Sequence, residues 1–68
     1  MSARVGQTLP ADAYLTVAEV AVRLQISRWK VYELIRSREL ASFLVGRCRR
    51  IPASAVDDMV ARLLDEAA

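Results

Sequence analysis

Three cations, two aromatic rings and one acid fall within a single short stretch of this chain, Arg28, Trp29, Lys30, Tyr32, Glu33 and Arg36. Val31, Leu34 and Ile35 interleave with them at helical spacing. A helix built here turns those three apolar residues one way and Arg28, Trp29, Tyr32, Glu33 and Arg36 the other. A guanidinium offers parallel N–H donors, a geometry that suits phosphate oxygens and the edge of guanine. A second basic cluster, Arg47, Arg49 and Arg50, follows Gly46. The formal net charge of +2 conceals how unevenly charge is spread. From Arg23 to Arg50 there are eight cations against Glu33 and Glu39, whereas beyond Pro52 Arg62 alone stands against Asp57, Asp58, Asp65 and Glu66. Cations gathered on the segment that carries the exposed helix face are what polyanion binding requires. The plainer alternative is an ordinary solvated surface.

Other chemistries have little to work with. The 68 residues include no histidine and one cysteine, Cys48, so no internal disulfide and no usual zinc constellation can form. With no credible nucleophile–base pair either, no catalytic residue, metal ligand or cofactor is assigned, and the chain reads as a non-enzyme. No apolar run approaches the roughly 20 residues of a membrane span. Residues 1–13, MSARVGQTLPADA, contain no apolar secretory core, from which a cytoplasmic location is expected. They also lack any periodicity and are read as a flexible arm preceding a single domain over residues 14–66.

Elements that would position the basic residues can be placed in order. Thr16 with Glu19 three residues later forms a capping-box pattern. Val17, Val20, Ala21 and Leu24 follow on one face, giving a first helix from Thr16 to about Leu24. Gln25-Ile26-Ser27 breaks it. Ser27 is placed to cap a second helix from Arg28 to about Ser37, with Ile26 as a hydrophobic staple. Leu40 is expected to pack as the chain leaves that helix. Phe43, Val45 and Ile51 are strand-like positions around Gly46-Arg47, a tight-turn dipeptide, and Pro52 ends the returning strand. Ser54 with Asp57 suggests an N-cap for a third helix over Val56, Met59, Val60, Leu63 and Leu64. The fold class is mainly α with a small β-hairpin, a winged helix-turn-helix.

In such a fold the second helix enters the major groove of double-stranded DNA, and residues near its N-terminus come closest to base edges. Those are Arg28, Trp29 and Lys30, with Tyr32, Glu33 and Arg36 a turn further on. Tyr32 and the backbone N–H groups behind Ser27 suit phosphates. Each has a duller reading: Trp29 and Tyr32 as core, Glu33 as a surface partner for neighbouring cations. Arg47 at the hairpin tip is placed to reach backbone or minor groove, and Arg50 is expected on the exposed side of its strand. Arg49 shares a side with Ile51, so its stem is expected to lie over apolar surface. Alternatively, all three arginines protect a strand edge from aggregation.

The frame LTVAEVA-x-x-L-x-I-S-x-x-x-VYELIRS-x-EL, then F-x-V-G-R and RRIP, resembles the small excisionase-type DNA-binding proteins of temperate phages and integrative elements, whose winged helix-turn-helix is shared with MerR-type regulators. The likeness runs from about Tyr14 to Val60. It implies contacts to DNA through Arg28, Trp29, Lys30, Tyr32, Arg36, Arg47 and Arg50. It further implies an architectural role: cooperative binding of attachment-site DNA beside other copies of the protein, bending, and direction of a site-specific integrase toward excision of a prophage or integrative element. The expected setting is the cytoplasm of a bacterial host, associated with the nucleoid. Two positions depart from the pattern. Arg38 replaces the glycine usual after the second helix, so loss of a left-handed cap is expected there. Gln25 stands where glycine or asparagine is common. Two other readings stay open: a transcriptional regulator of a prophage or mobile element, and a protein-interaction module docking through the third helix.

Overall fold

A computed structural model of the chain describes residues 13–68. The expected arm lies outside the described residues except for Ala13. Six elements follow in order: strand β1 (Tyr14–Leu15), helix α1 (Val17–Leu24), helix α2 (Arg28–Arg36), strands β2 (Phe43–Val45) and β3 (Cys48–Pro52), and helix α3 (Ala53–Ala67). This is a mainly helical winged helix-turn-helix, with α1 and α2 packed on each other and β2–β3 as the wing. No described helix is long and apolar enough to cross a membrane.

α1 begins as its residues dictate. Glu19 N–H donates to Thr16 Oγ1 at 3.1 Å while Thr16 N–H donates to Glu19 Oε1 at 2.8 Å. Two orphan donors of the first turn are thereby satisfied together. Val17, Val20 and Ala21 are buried, and Leu24 packs half-buried against them. α2 starts on Ser27, whose Oγ accepts from Lys30 N–H at 3.0 Å. Ile26, just before the cap, packs against the same core, and Val31 is wholly buried within it.

Both helices end in the left-handed region without glycine. Gln25 has φ +57° and Arg38 φ +66°. The loss of the left-handed cap expected at Arg38 is therefore overturned: the backbone turns left-handed with an arginine in place. The reason lies in the hydrogen bonds that the turn closes. Arg38 N–H donates to Ile35 O at 3.1 Å and Glu39 N–H to Leu34 O at 3.0 Å, the paired pattern of a Schellman cap. At α1, Gln25 N–H reaches Val22 O and Ile26 N–H reaches Ala21 O in the same arrangement. Each left-handed side chain costs about 1 kcal/mol relative to glycine. The recovered carbonyls, and the burial of Leu40 just beyond the second turn, offset it.

The sheet is antiparallel, in the order β1-β3-β2. Leu15 pairs with Ile51 and both are buried, so the sheet's inner face closes the core that Val20, Val31, Leu40, Val56 and Met59 fill. Gly46 has φ +61° and Arg47 does not share the sign, the pattern of a two-residue turn with glycine at its first central position. Sequence periodicity missed β1 because two residues are too few to show an alternation. The cap assigned to Ser54 is also corrected. α3 starts at Ala53, its N-cap is Pro52 with no side-chain cap bond, and Ser54 lies inside the first turn. The strand runs straight into the helix, and the first helical donor, Ala53 N–H, is taken at 2.9 Å by the carbonyl of Ala13.

Candidate nucleic-acid interface

α2 presents its two faces as the spacing required. Val31 is buried and Leu34 and Ile35 are half-buried against the core, while Arg28, Trp29, Lys30, Tyr32 and Arg36 are exposed. Trp29 is 64% exposed and Tyr32 44%. A tryptophan left that open on a small domain forfeits much of the burial its ring could gain. Neither aromatic ring belongs to the core.

Glu33 is half-buried and binds its own helix: Lys30 Nζ lies 2.8 Å from Glu33 Oε1. The hydrogen bond to that carboxylate, and then its charge, raise the Lys30 pKa above its ordinary value. The carboxylate thus holds Lys30 in its charged form to higher pH than a free lysine. Glu33 thus occupies one cation of the exposed face and leaves Arg28 and Arg36 without a carboxylate partner among the described residues.

The wing places its arginines in three settings. Arg47 is exposed at the hairpin tip. Arg49, on the side of Ile51 as its phase required, is half-buried, and its Nη1 donates to Ser42 Oγ. Arg50 lies on the outer side of its strand, opposite Ile51, but is not fully exposed there. It is half-buried, with Nη1 folded back onto the Arg49 carbonyl at 2.9 Å. Its cross-strand neighbour explains why. Arg50 pairs with Phe43, whose ring meets Tyr14 edge-on at 5.7 Å across β3, so an aromatic pair flanks the arginine on the sheet's outer face.

One positioning residue escaped the sequence reading. Arg62 of α3 donates from Nη2 to the Glu39 carbonyl at 2.8 Å, tying α3 to the turn that ends α2. The lone cation of an acidic helix was a weak sign of it; the partner, a backbone carbonyl 23 residues away, has no sequence signature.

A cationic helix face with two open rings, seated beside a basic hairpin, can grip a duplex groove and its flanking phosphates. The comparisons with known proteins bear on which lineage built it. Residues 14–63 match the family model described as "Helix-turn-helix domain". The chain is 51% identical over 53 residues to a Streptomyces ambofaciens protein named "Excisionase", covering 78% of this chain and 86% of that one. The chain belongs to the excisionase-type helix-turn-helix family. It is also 48% identical over 59 residues to a Saccharopolyspora erythraea protein named "Probable excisionase", a match covering 87% of this chain but 60% of that relative's length. No solved structure matches it. Excisionase-type helix-turn-helix proteins are small DNA-binding proteins, not enzymes. The matched segment takes in β1 through most of α3, so the family unit includes every element described above.

Proposed function

We propose that this chain is a DNA-binding excisionase. α2 enters the major groove with Arg28, Trp29 and Lys30 nearest the base edges and Arg36 a turn further on; Tyr32, Ser27 and the backbone N–H groups behind it meet phosphates. Glu33 holds Lys30 rather than a base. Arg47 reaches the adjoining backbone or minor groove, with Arg50 behind it. The observation that carries this reading is the division of α2, whose apolar side packs on the core while three cations and two rings stand in solvent.

A single winged module of this size buries roughly 600–1,000 Å² on DNA and relies on neighbours for tight binding. Copies on adjacent attachment sites therefore bind cooperatively, and wrapping DNA around them offsets a bending cost of order 1–6 kcal/mol. Such a complex favours excision by presenting a site-specific integrase with bent DNA and a protein surface. The exposed Leu63 and Leu64 at the far end of α3 support that helix as the protein-contacting surface. The setting for this work is the cytoplasm of a bacterial host, at the nucleoid.

The test is a salt-titrated anisotropy or gel-shift assay on attachment-site DNA beside the nearest integrase gene, against scrambled DNA. Tight binding that steps up with the number of adjacent sites is the expected result. Equal binding to both duplexes removes the attachment-site role and moves promoter DNA to the front.

A further inference from the structure

Between the end of α2 and the base of the wing lies a cleft of about 410 Å³, lined by Ile35, Arg38, Leu40, Ala41, Ser42 and Arg49. Neither arginine figured among the groove-facing or wing-tip contacts, and no carboxylate lines the cleft. The Arg38 guanidinium has no hydrogen-bond or ion-pair partner among the described residues. Arg49 has its guanidinium steadied on Ser42 Oγ, a bond that uses one of five N–H donors. Arg38 and Arg49 line one concavity, and two like-charged guanidiniums with no carboxylate among the lining residues suit an anion.

We propose that the Arg38–Arg49 cleft is a phosphodiester-binding site that seats the DNA backbone between the recognition helix and the wing. The inference rests on the DNA-binding reading above and deepens it. Location selects the occupant. The cleft is continuous with the two elements that straddle the duplex, so a strand leaving the groove beside α2 passes it before reaching Arg47. Arg38 is displayed by the left-handed turn itself, at φ +66°, so its Cα direction is fixed by the Schellman cap. Ser42 orients Arg49 in advance, which lowers the ordering cost of the contact. A carboxylate on a protein partner has related chemistry, but nothing places a protein at this junction.

The left-handed backbone supplies an unusually clean test. Arg38→Gly removes the guanidinium and relieves the positive-φ strain, so the variant folds at least as well as the parent. Arg49→Met keeps an apolar stem over the sheet and removes the charge. Each full-length variant is titrated against a short mixed-sequence duplex between about 50 and about 200 mM salt. Arg23→Gln on α1 serves as an equal loss of charge outside the cleft, and thermal melting runs alongside. Arg38→Gly and Arg49→Met should each weaken binding roughly three- to tenfold and flatten the log–log salt slope by about 0.9, the signature of one lost phosphate contact. Arg38→Gly should do so with an unchanged or higher melting midpoint, and Arg23→Gln should leave the slope near the parent's. Parent-like affinity and slope in both cleft variants, while Arg28→Glu with Arg47→Glu still abolishes binding, overturns the cleft and leaves the groove reading intact. Failure of the parent itself to bind the duplex at the lowest salt removes both.

Discussion

α2 and α3 are amphipathic helices that lean on one core, yet they turn opposite charge to solvent. α2 exposes Arg28, Lys30 and Arg36 with two aromatic rings; α3 exposes Asp57, Asp58, Asp65 and Glu66. They are also held differently. α2 is capped by a hydroxyl at one end and a left-handed turn at the other. α3 has no side-chain cap and springs directly from a strand. The difference teaches a division of labour: α2 is fixed at both ends and turns a cationic face to solvent, whereas α3 braces α2 through Arg62 and turns out an acidic one that would repel a polyanion.

Charge reversal breaks this comparison most severely. Arg28→Glu with Arg47→Glu should cost at least about a hundredfold in DNA affinity at moderate salt, while Asp57→Lys with Asp58→Lys on α3 should cost none. Gel-shift titration of the two double variants checks it, and equal losses would erase the division. Met59→Ala comes next, because α3 owes its place to that buried side chain. A loss of about 2–5 kcal/mol in urea unfolding is expected, enough to leave so small a domain largely unfolded. An effect under about 1 kcal/mol would mean that α3 is not an essential wall of the core.

Smaller changes sharpen the contrast. Trp29→Ala should weaken binding to the preferred site by about 1–3 kcal/mol and to scrambled DNA by less, since an exposed ring that touches bases carries discrimination. Equal losses on both duplexes would make Trp29 a backbone contact. The smallest effect is expected at the end of α1, where Gln25→Gly should raise stability by about 0.5–1 kcal/mol without changing DNA affinity. Set beside Arg38→Gly, it separates a left-handed residue that only turns the chain from one that also displays a charge.

Much of this architecture was legible because it rests on local rules. The Thr16–Glu19 box, the Ser27 cap, the apolar faces of α1 and α2, and the Gly46 turn all depend on residues within seven positions of each other, and each stands where its spacing placed it. What escaped notice depends on distant partners. β1 exists because Tyr14 and Leu15 lie beside Pro52 and Ile51. The N-cap of α3 moved from Ser54 to Pro52, and a carbonyl from Ala13 takes the first helical donor. Arg50 is tucked in because Phe43 and Tyr14 meet across its strand. Arg38 kept its left-handed turn because hydrogen bonds outweighed a side-chain preference, a contest that residue type alone decides wrongly. The exposed stripe of α2 was readable for the same local reason as its buried one. The cleft behind it was not, since Arg38 and Arg49 share it only once the hairpin has folded back.

The junction at Pro52–Ala53 has a mechanical meaning. No loop residue separates β3 from α3, and Ala13 fastens the joint from outside. The hairpin and the last helix are consequently two arms of one crank, with no loop between them to absorb a displacement. On the proposed reading, an integrase leaning on the acidic arm would press the basic one against the duplex or lift it away.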